Sequence, residues 1–332
     1  MRQRIQPDYQ PTREQRELFP EVSGDTLNGL GEKQVRNPTK VYWSEPDTIA
    51  HGEVQKYFYN KSNSLRAVRK EVSDMKDRRG PDTISEVADL VREDSAANWS
   101  MKVKEFALAN EADLVGIVRM NPEWAYEGQN VEQEWVILMA CAMNQRELVK
   151  LPPSAEDMSS ADEVARQFNR LARACKKLTG WIHEQGWSAE ARPGPWSGDF
   201  AMIPAAIEAG FGQLGKHGSL INDKYGASFR LASVTTSLPL EADQPRDIGV
   251  EDVCEKCQIC TDLCPPDAIY AEKQLVRGEQ KWYVNFDKCL PYFNDTLGCG
   301  ICIANCPWSL PDVAPSLTQK MLRRRERKQE QG

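Results

Sequence analysis

No stretch of this 332-residue chain approaches the roughly eighteen uninterrupted apolar residues that a membrane-crossing helix needs. Positive charge is also in short supply. Lys and Arg number 42 against 49 Asp and Glu, a net charge of −7, which argues against a general nucleic-acid binder. The N-terminus, Met1-Arg-Gln-Arg-Ile-Gln-Pro7, carries charge but no apolar run behind it, so it reads as neither a Sec nor a Tat signal. Histidine is scarce, at three residues. Cysteine is not: there are ten, and eight of them lie between Cys254 and Cys306.

Those eight run Cys254-x2-Cys257-x2-Cys260-x3-Cys264-Pro265, then Cys289, then Cys299-x2-Cys302-x3-Cys306-Pro307. The first block has the spacing of a two-cluster bacterial ferredoxin. Three cysteines grip one cube, and the fourth, held before a proline, reaches across to the other. Applied here, the crossover assigns Cys254, Cys257, Cys260 and Cys306 to one [4Fe–4S] cluster. Cys289, Cys299, Cys302 and Cys264 then hold a second, and none of the eight is left over. Zinc sites usually mix in histidine or show two separated C-x2-C pairs, and disulfides need no proline after each fourth cysteine. The arm from Cys289 to Cys299 is longer than in a plain ferredoxin. Its Pro291, Tyr292 and Phe293 are expected to lay aromatic cover over the second cluster. Eight thiolates committed to oxygen-labile clusters suit a reducing compartment, so the expected location is the cytoplasm.

A ferredoxin unit occupies only the last quarter of the chain. Residues 1–50, broken by five prolines, read as an extended arm wrapping a core, since Tyr42 and Trp43 favour burial. The charged stretch 64–79 suggests an exposed helix, and 82–110 a second one. Segments 112–118, 135–141, 219–221 and 230–236 read as strands. The strongest helix signal spans 160–185, with Ser160 and Glu163 spaced as a capping box. Strands alternating with helices indicate an α/β core ahead of the clusters. Cys141 and Cys175 read as small buried hydrophobes, and the basic C-terminal residues as a solvated helix end.

Four glycines crowd into Gly210-Phe-Gly212-Gln-Leu-Gly215-Lys216-His217-Gly218. The letters fit a dinucleotide fingerprint, but the loop follows a helix and precedes a strand, which is the wrong context. No Ser or Thr follows Lys216, so it is not a Walker A loop either. The segment Ala209 to Ile221, with Lys224-Tyr-Gly226 and Arg230-Leu-Ala-Ser-Val-Thr-Thr-Ser-Leu-Pro-Leu240, resembles the corrinoid-binding core of reductive dehalogenases. Ala112-Asp-Leu-Val-Gly-Ile117, Trp124, Tyr126 and the cysteine stretch match that family in the same order. The resemblance covers roughly residues 100–310, and the epoxyqueuosine reductases are a sister branch with a similar loop and cluster pair.

The resemblance implies an α/β, nitroreductase-like corrinoid-binding core over 81–245, after an N-terminal arm over 1–80. A ferredoxin-like domain over 246–312 and a basic tail over 313–332 would follow. It further implies base-off cobalamin against Gly215, Lys216, His217, Gly218, Ser219, Leu220 and Ile221, fed one electron at a time by two [4Fe–4S] clusters. The implied activity is reductive dehalogenation of a small organohalide, expected to be aromatic because an aromatic-lined pocket suits an aryl substrate, with a separate low-potential donor such as a ferredoxin or flavodoxin; the acidic balance argues against a nucleic-acid partner. The chain lacks the D-x-H-x-x-G arrangement that supplies cobalt with a lower histidine, which base-off binding does not need. Lys216 stands where dehalogenases keep Lys or Arg, and is expected to turn its ammonium toward substrate or to anchor a corrin amide. The proton donor is the departure. Where the two branches keep a tyrosine or an Asp-Tyr pair, this chain has Met143-Asn-Gln-Arg146 and Gln167-Phe168. Tyr126, Tyr225 and His217 are the substitutes, Tyr126 first, and Trp187, Trp196 and Trp308 are expected to line an apolar pocket. Other reductive work, on an epoxide or a C–O bond, or plain electron transfer, would be the alternatives.

Overall fold

The run 135–142 is apolar on both of its alternating faces, and the structure buries both. That structure is a computed structural model, and it describes residues 8–65, 79–80, 83–194 and 198–330. In chain order its strands are β1 (Leu114–Arg119), β2 (Trp135–Ala142), β3 (Ala189–Arg192), β4 (Gln213–Leu214), β5 (Leu220–Ile221), β6 (Phe229–Thr236), β7 (Gln274–Val276) and β8 (Glu279–Lys281). Strands β1, β2, β6 and β3 form, in that order, one antiparallel sheet, with β2 paired to β6 from Trp135↔Thr236 to Ala142↔Phe229. Side chains alternate across a strand. Ile137, Met139 and Cys141 therefore meet Ala232 and Val234 in one core, while Val136, Leu138 and Ala140 meet Val118 and Phe229 in another. The hairpins β4–β5 and β7–β8 stand apart from this sheet.

The helices are α1 (Arg13–Leu18), α2 (Gly24–Leu27), α3 (Gly52–Ser64), α4 (Ala96–Ala109), α5 (Gln145–Leu148), α6 (Ser159–Glu184), α7 (Met202–Glu208), α8 (Val250–Cys254), α9 (Ile259–Leu263), α10 (Phe286–Asp295), α11 (Ile301–Ala304) and α12 (Val313–Glu330). Helices α4 and α6 cover the first core, with Trp99, Val103, Leu171, Cys175, Leu178 and Ile182. Helix α7 covers the second, with Ala205 and Ala206. Both lone cysteines are interior, as expected: Cys141 and Cys175 donate to the Glu111 and Ser233 carbonyls at 3.2 and 3.5 Å.

Three local expectations change. Helix α6 begins after Met158 with no side-chain cap, and Ser160 lies inside its first turn. Its expected partner Glu163 is buried and accepts instead from the Asn144 N–H at 2.7 Å, because the loop before α5 needs an acceptor there. The helix expected over 82–110 is shorter. Ser95 caps α4, accepting from the Asn98 N–H, and the chain before it is non-helical. There Ala88 and Arg92 donate to the His183 and Gln185 carbonyls, groups that a helix end leaves unpaired. The helix expected over 64–79 falls largely outside the described residues, as does Trp196.

The N-terminal stretch is not extended throughout, since its prolines divide it into short helices. It packs on α10. Tyr9 donates to Asp295 at 2.7 Å, Gln15 to the Pro291 carbonyl at 3.0 Å, and Tyr42 to Asn294 at 2.8 Å. Helix α12 turns back onto the cluster segment, where Arg325 pairs with Asp247 and Asp252 at 2.7 Å each. Among the described residues no helix is long and apolar enough to cross a membrane.

Candidate functional site

Short helices α8, α9 and α11, each only about a turn long, carry cysteines: α8 ends at Cys254, α9 contains Cys260 and stops just before Cys264, and α11 contains Cys302. Cys254, Cys257, Cys260 and Cys306 line one closed pocket. Cys264, Cys289, Cys299 and Cys302 lie close enough to one another for each thiol to feel its neighbours' charge. Burial pushes Cys254 up to about 11, and Cys260, Cys306 and Cys299 up to about 12. Thiols held this high are thiolates at neutral pH only when a metal takes the place of the proton. Among the described residues no three His, Cys, Asp or Glu side chains are placed to share one metal ion. A cubane asks for something else, one thiolate at each corner iron, with the sulfurs surrounding the cluster. Tyr292 lies over the second set, buried with Leu263 and Ile301 beside Cys299, and Tyr9 meets it edge-on at 4.8 Å.

The β4–β5 turn joins this region to the sheet. Gly215 donates to the Ser219 carbonyl and Gly218 to the Gly215 carbonyl, both at 2.9 Å, which closes the turn tightly. The turn has two faces. Lys216 and His217 line the pocket of the first cysteine set, together with Trp308. All three are at least 95 % buried, and Lys216 Nζ, His217 Nε2 and Trp308 Nε1 have no hydrogen-bond partner. The Ser219 N–H donates to His217 Nδ1, and burial pulls the imidazole down to about 4, so Nε2 carries the proton. Three buried donors without acceptors around four thiols fit a sulfide-rich cluster, whose sulfurs accept hydrogen bonds. Ile221 packs beside Cys254 and Cys306. Gly226, at φ +57°, lets the turn approach the Trp308 backbone, where a Cβ would strike the Trp308 carbonyl.

Ser219 and Leu220 face the other way, into a cavity of about 280 Å³. Its walls also include Tyr126, Phe168, Phe229, Arg230 and Ile303, the last lying between Cys302 and Cys306 in the chain. A second cavity of about 210 Å³, lined by Arg192, Phe200 and Ser233, shares Met202 as a common wall. The Arg230 guanidinium sits 5.4 Å over the Phe168 ring, and its Nε is sealed from water without a partner. Burial lowers this arginine to about 10. The site thus offers apolar walls and one underused cation, the composition of a pocket for an apolar ligand with an electronegative edge.

Several expected residues lie elsewhere. The Lys216 ammonium is sealed in the cluster pocket and does not line the cavity, because its half of the turn packs toward Trp282 and Trp308. Trp187 packs in the first core and donates to the Arg92 carbonyl at 3.1 Å, and Trp308 belongs to the cluster pocket. Phe168, Phe229 and Tyr126 supply the aromatic wall instead. Tyr225 packs in the second core beneath Lys224, whose Nζ is 4.8 Å from the ring centroid. In Met143–Arg146, the first stretch where the family would keep a tyrosine, Gln145 donates to the Ala304 carbonyl at 3.0 Å. Arg230 was missed. Its only signal was a cation opening an otherwise uncharged strand, Arg230 to Thr236.

Residues 253–310 match the 4Fe-4S dicluster domain family. The chain is 28 % identical over 284 residues to the tetrachloroethene reductive dehalogenase of Sulfurospirillum multivorans, covering 71 % of this chain and 53 % of that protein. It is 29 % identical over 213 residues to that of Desulfitobacterium hafniense, covering 59 % and 37 %. The epoxyqueuosine reductase of Salmonella typhimurium is 30 % identical over 164 residues, 44 % of this chain and 39 % of that one. The chain therefore spans about half or less of the length of these relatives. A solved catabolic reductive dehalogenase in complex with 3-bromo-4-hydroxybenzoic acid superposes with a TM-score of 0.70 at 22 % identity, over 92 % of this chain and 46 % of that one. The fold is thus that of a reductive dehalogenase, a mixed α/β unit followed by a dicluster domain. By sequence, this chain is a homologue of the reductive dehalogenases, with the epoxyqueuosine reductases as a related branch.

Proposed function

We propose that this chain is an oxidoreductase that uses two [4Fe–4S] clusters and a corrinoid to remove halide from an organohalide, with an aryl halide as the favoured substrate class. One observation carries the reading. A single tight turn faces the first cysteine set with Lys216 and His217 and the cavity with Ser219 and Leu220, so electron store and substrate space share one wall. In this reading Cys254, Cys257, Cys260 and Cys306 hold the inner cluster, and Cys264, Cys289, Cys299 and Cys302 the outer one.

The residues present fit a corrinoid in two respects. The apolar walls around Met202 suit a macrocycle face, and the unpartnered Arg230 Nε suits an amide or anionic edge. No histidine lines either cavity among the described residues, which base-off binding does not require. Bound there, cobalamin would supply a low-potential metal centre to meet the carbon–halogen bond. The reaction balances as two electrons and one proton in, with the carbon–halogen bond broken, a carbon–hydrogen bond formed and halide released. Phe168 and Phe229 bury the aryl ring and keep water away. The Arg230 guanidinium attracts the departing halide, and the Tyr126 hydroxyl gives its proton to carbon. Lys216 serves from the cluster side. A separate low-potential ferredoxin or flavodoxin supplies the electrons, and the eight thiolates suit a reducing compartment.

Phe168, standing where a proton-donating tyrosine would serve dehalogenation, favours a second reading: reductive cleavage of an epoxide or C–O bond by the same apparatus. The test is anaerobic reconstitution with iron, sulfide and B12. The sample is then assayed together for all three and for halide release from a brominated phenol under a reduced dye. Cobalt bound with bromide released is the expected result. Bound cobalt without halide release selects the second reading. Eight irons with no uptake of B12 leaves an electron-transfer protein and defeats both.

A further inference from the structure

Lys216 is 1 % exposed, and its ammonium has neither a hydrogen-bond partner nor a carboxylate within ion-pair distance. Its sole charge-seeking contact is the Trp282 ring, 4.8 Å from Nζ to the centroid. An aromatic face offsets only part of the cost of stripping an ammonium of water. An acidic group on that ring, Glu251, is already engaged. Glu251 accepts from Trp282 Nε1 at 3.2 Å and pairs with Lys273 at 2.7 Å. On its other side Lys216 faces Cys254, Cys257, Cys260 and Cys306, and its charge acts to lower the Cys254 and Cys260 thiols against their burial. The missing counter-ion is therefore on the cysteine side. A cubane with four thiolates is an anion, and it becomes more negative by one charge on reduction.

We propose that Lys216 is the fixed counter-charge of the first cluster and makes that cluster easier to reduce than the second. The proposal rests on assigning Cys254, Cys257, Cys260 and Cys306 to one cluster. A buried cation stabilises the reduced, more negative state more than the oxidised one. The second set has no comparable ammonium: among the described residues Lys216 is the only buried lysine, and Lys288, beside Cys289 in the chain, is exposed. The potential difference then runs from the second cluster to the first, so electrons collect at the cluster that adjoins the turn and the cavity. Lys216 is in this sense a positioning residue, acting through the cluster and not on the substrate.

The experiment is an EPR-monitored redox titration of the reconstituted full chain, with iron counted, in wild type, Lys216→Met, Lys216→Gln and Lys216→Arg. At fixed potential the reduced-to-oxidised ratio of the first cluster is expected to fall at least tenfold in both neutral variants, about 59 mV for one electron. The second cluster stays unmoved, and Lys216→Arg keeps the wild-type value. If the neutral variants hold only half the iron, Lys216→Arg holding all of it supports the charge requirement, and Lys216→Arg also losing it overturns the proposal. Neutral variants with full iron and both potentials unmoved overturn it as well. A wild-type chain that never holds eight irons overturns the cluster assignment itself, a failure told apart by the iron count alone.

Discussion

Gly226 is the point where the turn region and the cluster segment touch backbone to backbone, so Gly226→Ala tests whether that contact holds the site together. Two costs are separable. An alanine at φ +57° costs about 1–2 kcal/mol for the left-handed conformation alone. Its Cβ would also strike the Trp308 carbonyl and crowd the Ser309 Cα, main-chain atoms with no flexible end to swing aside. Relief requires the two segments to part. One hydrogen bond joins the segments, Ala227 N–H to Ser309 Oγ at 3.1 Å, and two more hold Gly226 in its own turn, Gly226 N–H to Asn222 O at 3.0 Å and Asn222 N–H to Gly226 O at 2.8 Å, so a shift at Gly226 strains all three. Losing two of them adds about 2 kcal/mol. The expected total is about 3–4 kcal/mol. Gly128 provides the control, with φ +75° and nothing within 4 Å of an added Cβ, so Gly128→Ala should cost only the conformational part, about 1–2 kcal/mol. Anaerobic urea unfolding of the holoprotein, followed by far-UV circular dichroism with iron release recorded in parallel, reads both. Equal losses of stability in the two variants would show that the close approach contributes nothing and refute the reasoning.

Cys306→Ser and Cys264→Ser should each halve the bound iron but leave different EPR spectra, since each is assigned to a different cluster; identical residual spectra would contradict the crossover. Arg230→Met should lower kcat/KM for halide release about 100-fold with iron unchanged, within the range for removing one preorganised donor, and an undiminished rate would remove Arg230 from the site. Glu111 is held below the usual carboxylate range chiefly by its hydrogen bonds to Arg173, at 2.6 and 2.9 Å. A depressed carboxylate stabilises above its unfolded range and loses that contribution as pH falls through its folded value. Glu111→Gln should therefore cost about 1 kcal/mol at neutral pH and nothing once the wild-type group is protonated, as urea midpoints at the two pH values would show.

The cluster half was readable because its geometry is covalent and local. Metal ligands two residues apart must lie on one face of a cube, whatever surrounds them. The long helix α6 was readable because burial on one face leaves a periodic record, β2 because burial on both faces leaves a short unbroken apolar run, and β6 because its β-branched residues suit a pleated surface. The capping box at Ser160 misled because Glu163 is claimed by Asn144, a partner nineteen positions away in the chain and invisible to a local rule. The stretch 83–94 has helical spacing, yet Val87, Leu90 and Val91 face solvent, and its backbone is taken by the end of α6.

By itself, then, the sequence marked out two groups of four cysteines, and a glycine turn before a strand that resembles the dehalogenase loop. It could not determine which way each residue of that turn points. Lys216 and Ser219 are three positions apart, and only the packing of the turn between Trp282, Trp308 and the sheet sends one to the cysteines and the other to the cavity. Arg230 became a candidate site residue for the same reason. A cation's role depends on which groups are left without partners after folding, and that is a property of the assembled interior and of no segment taken alone.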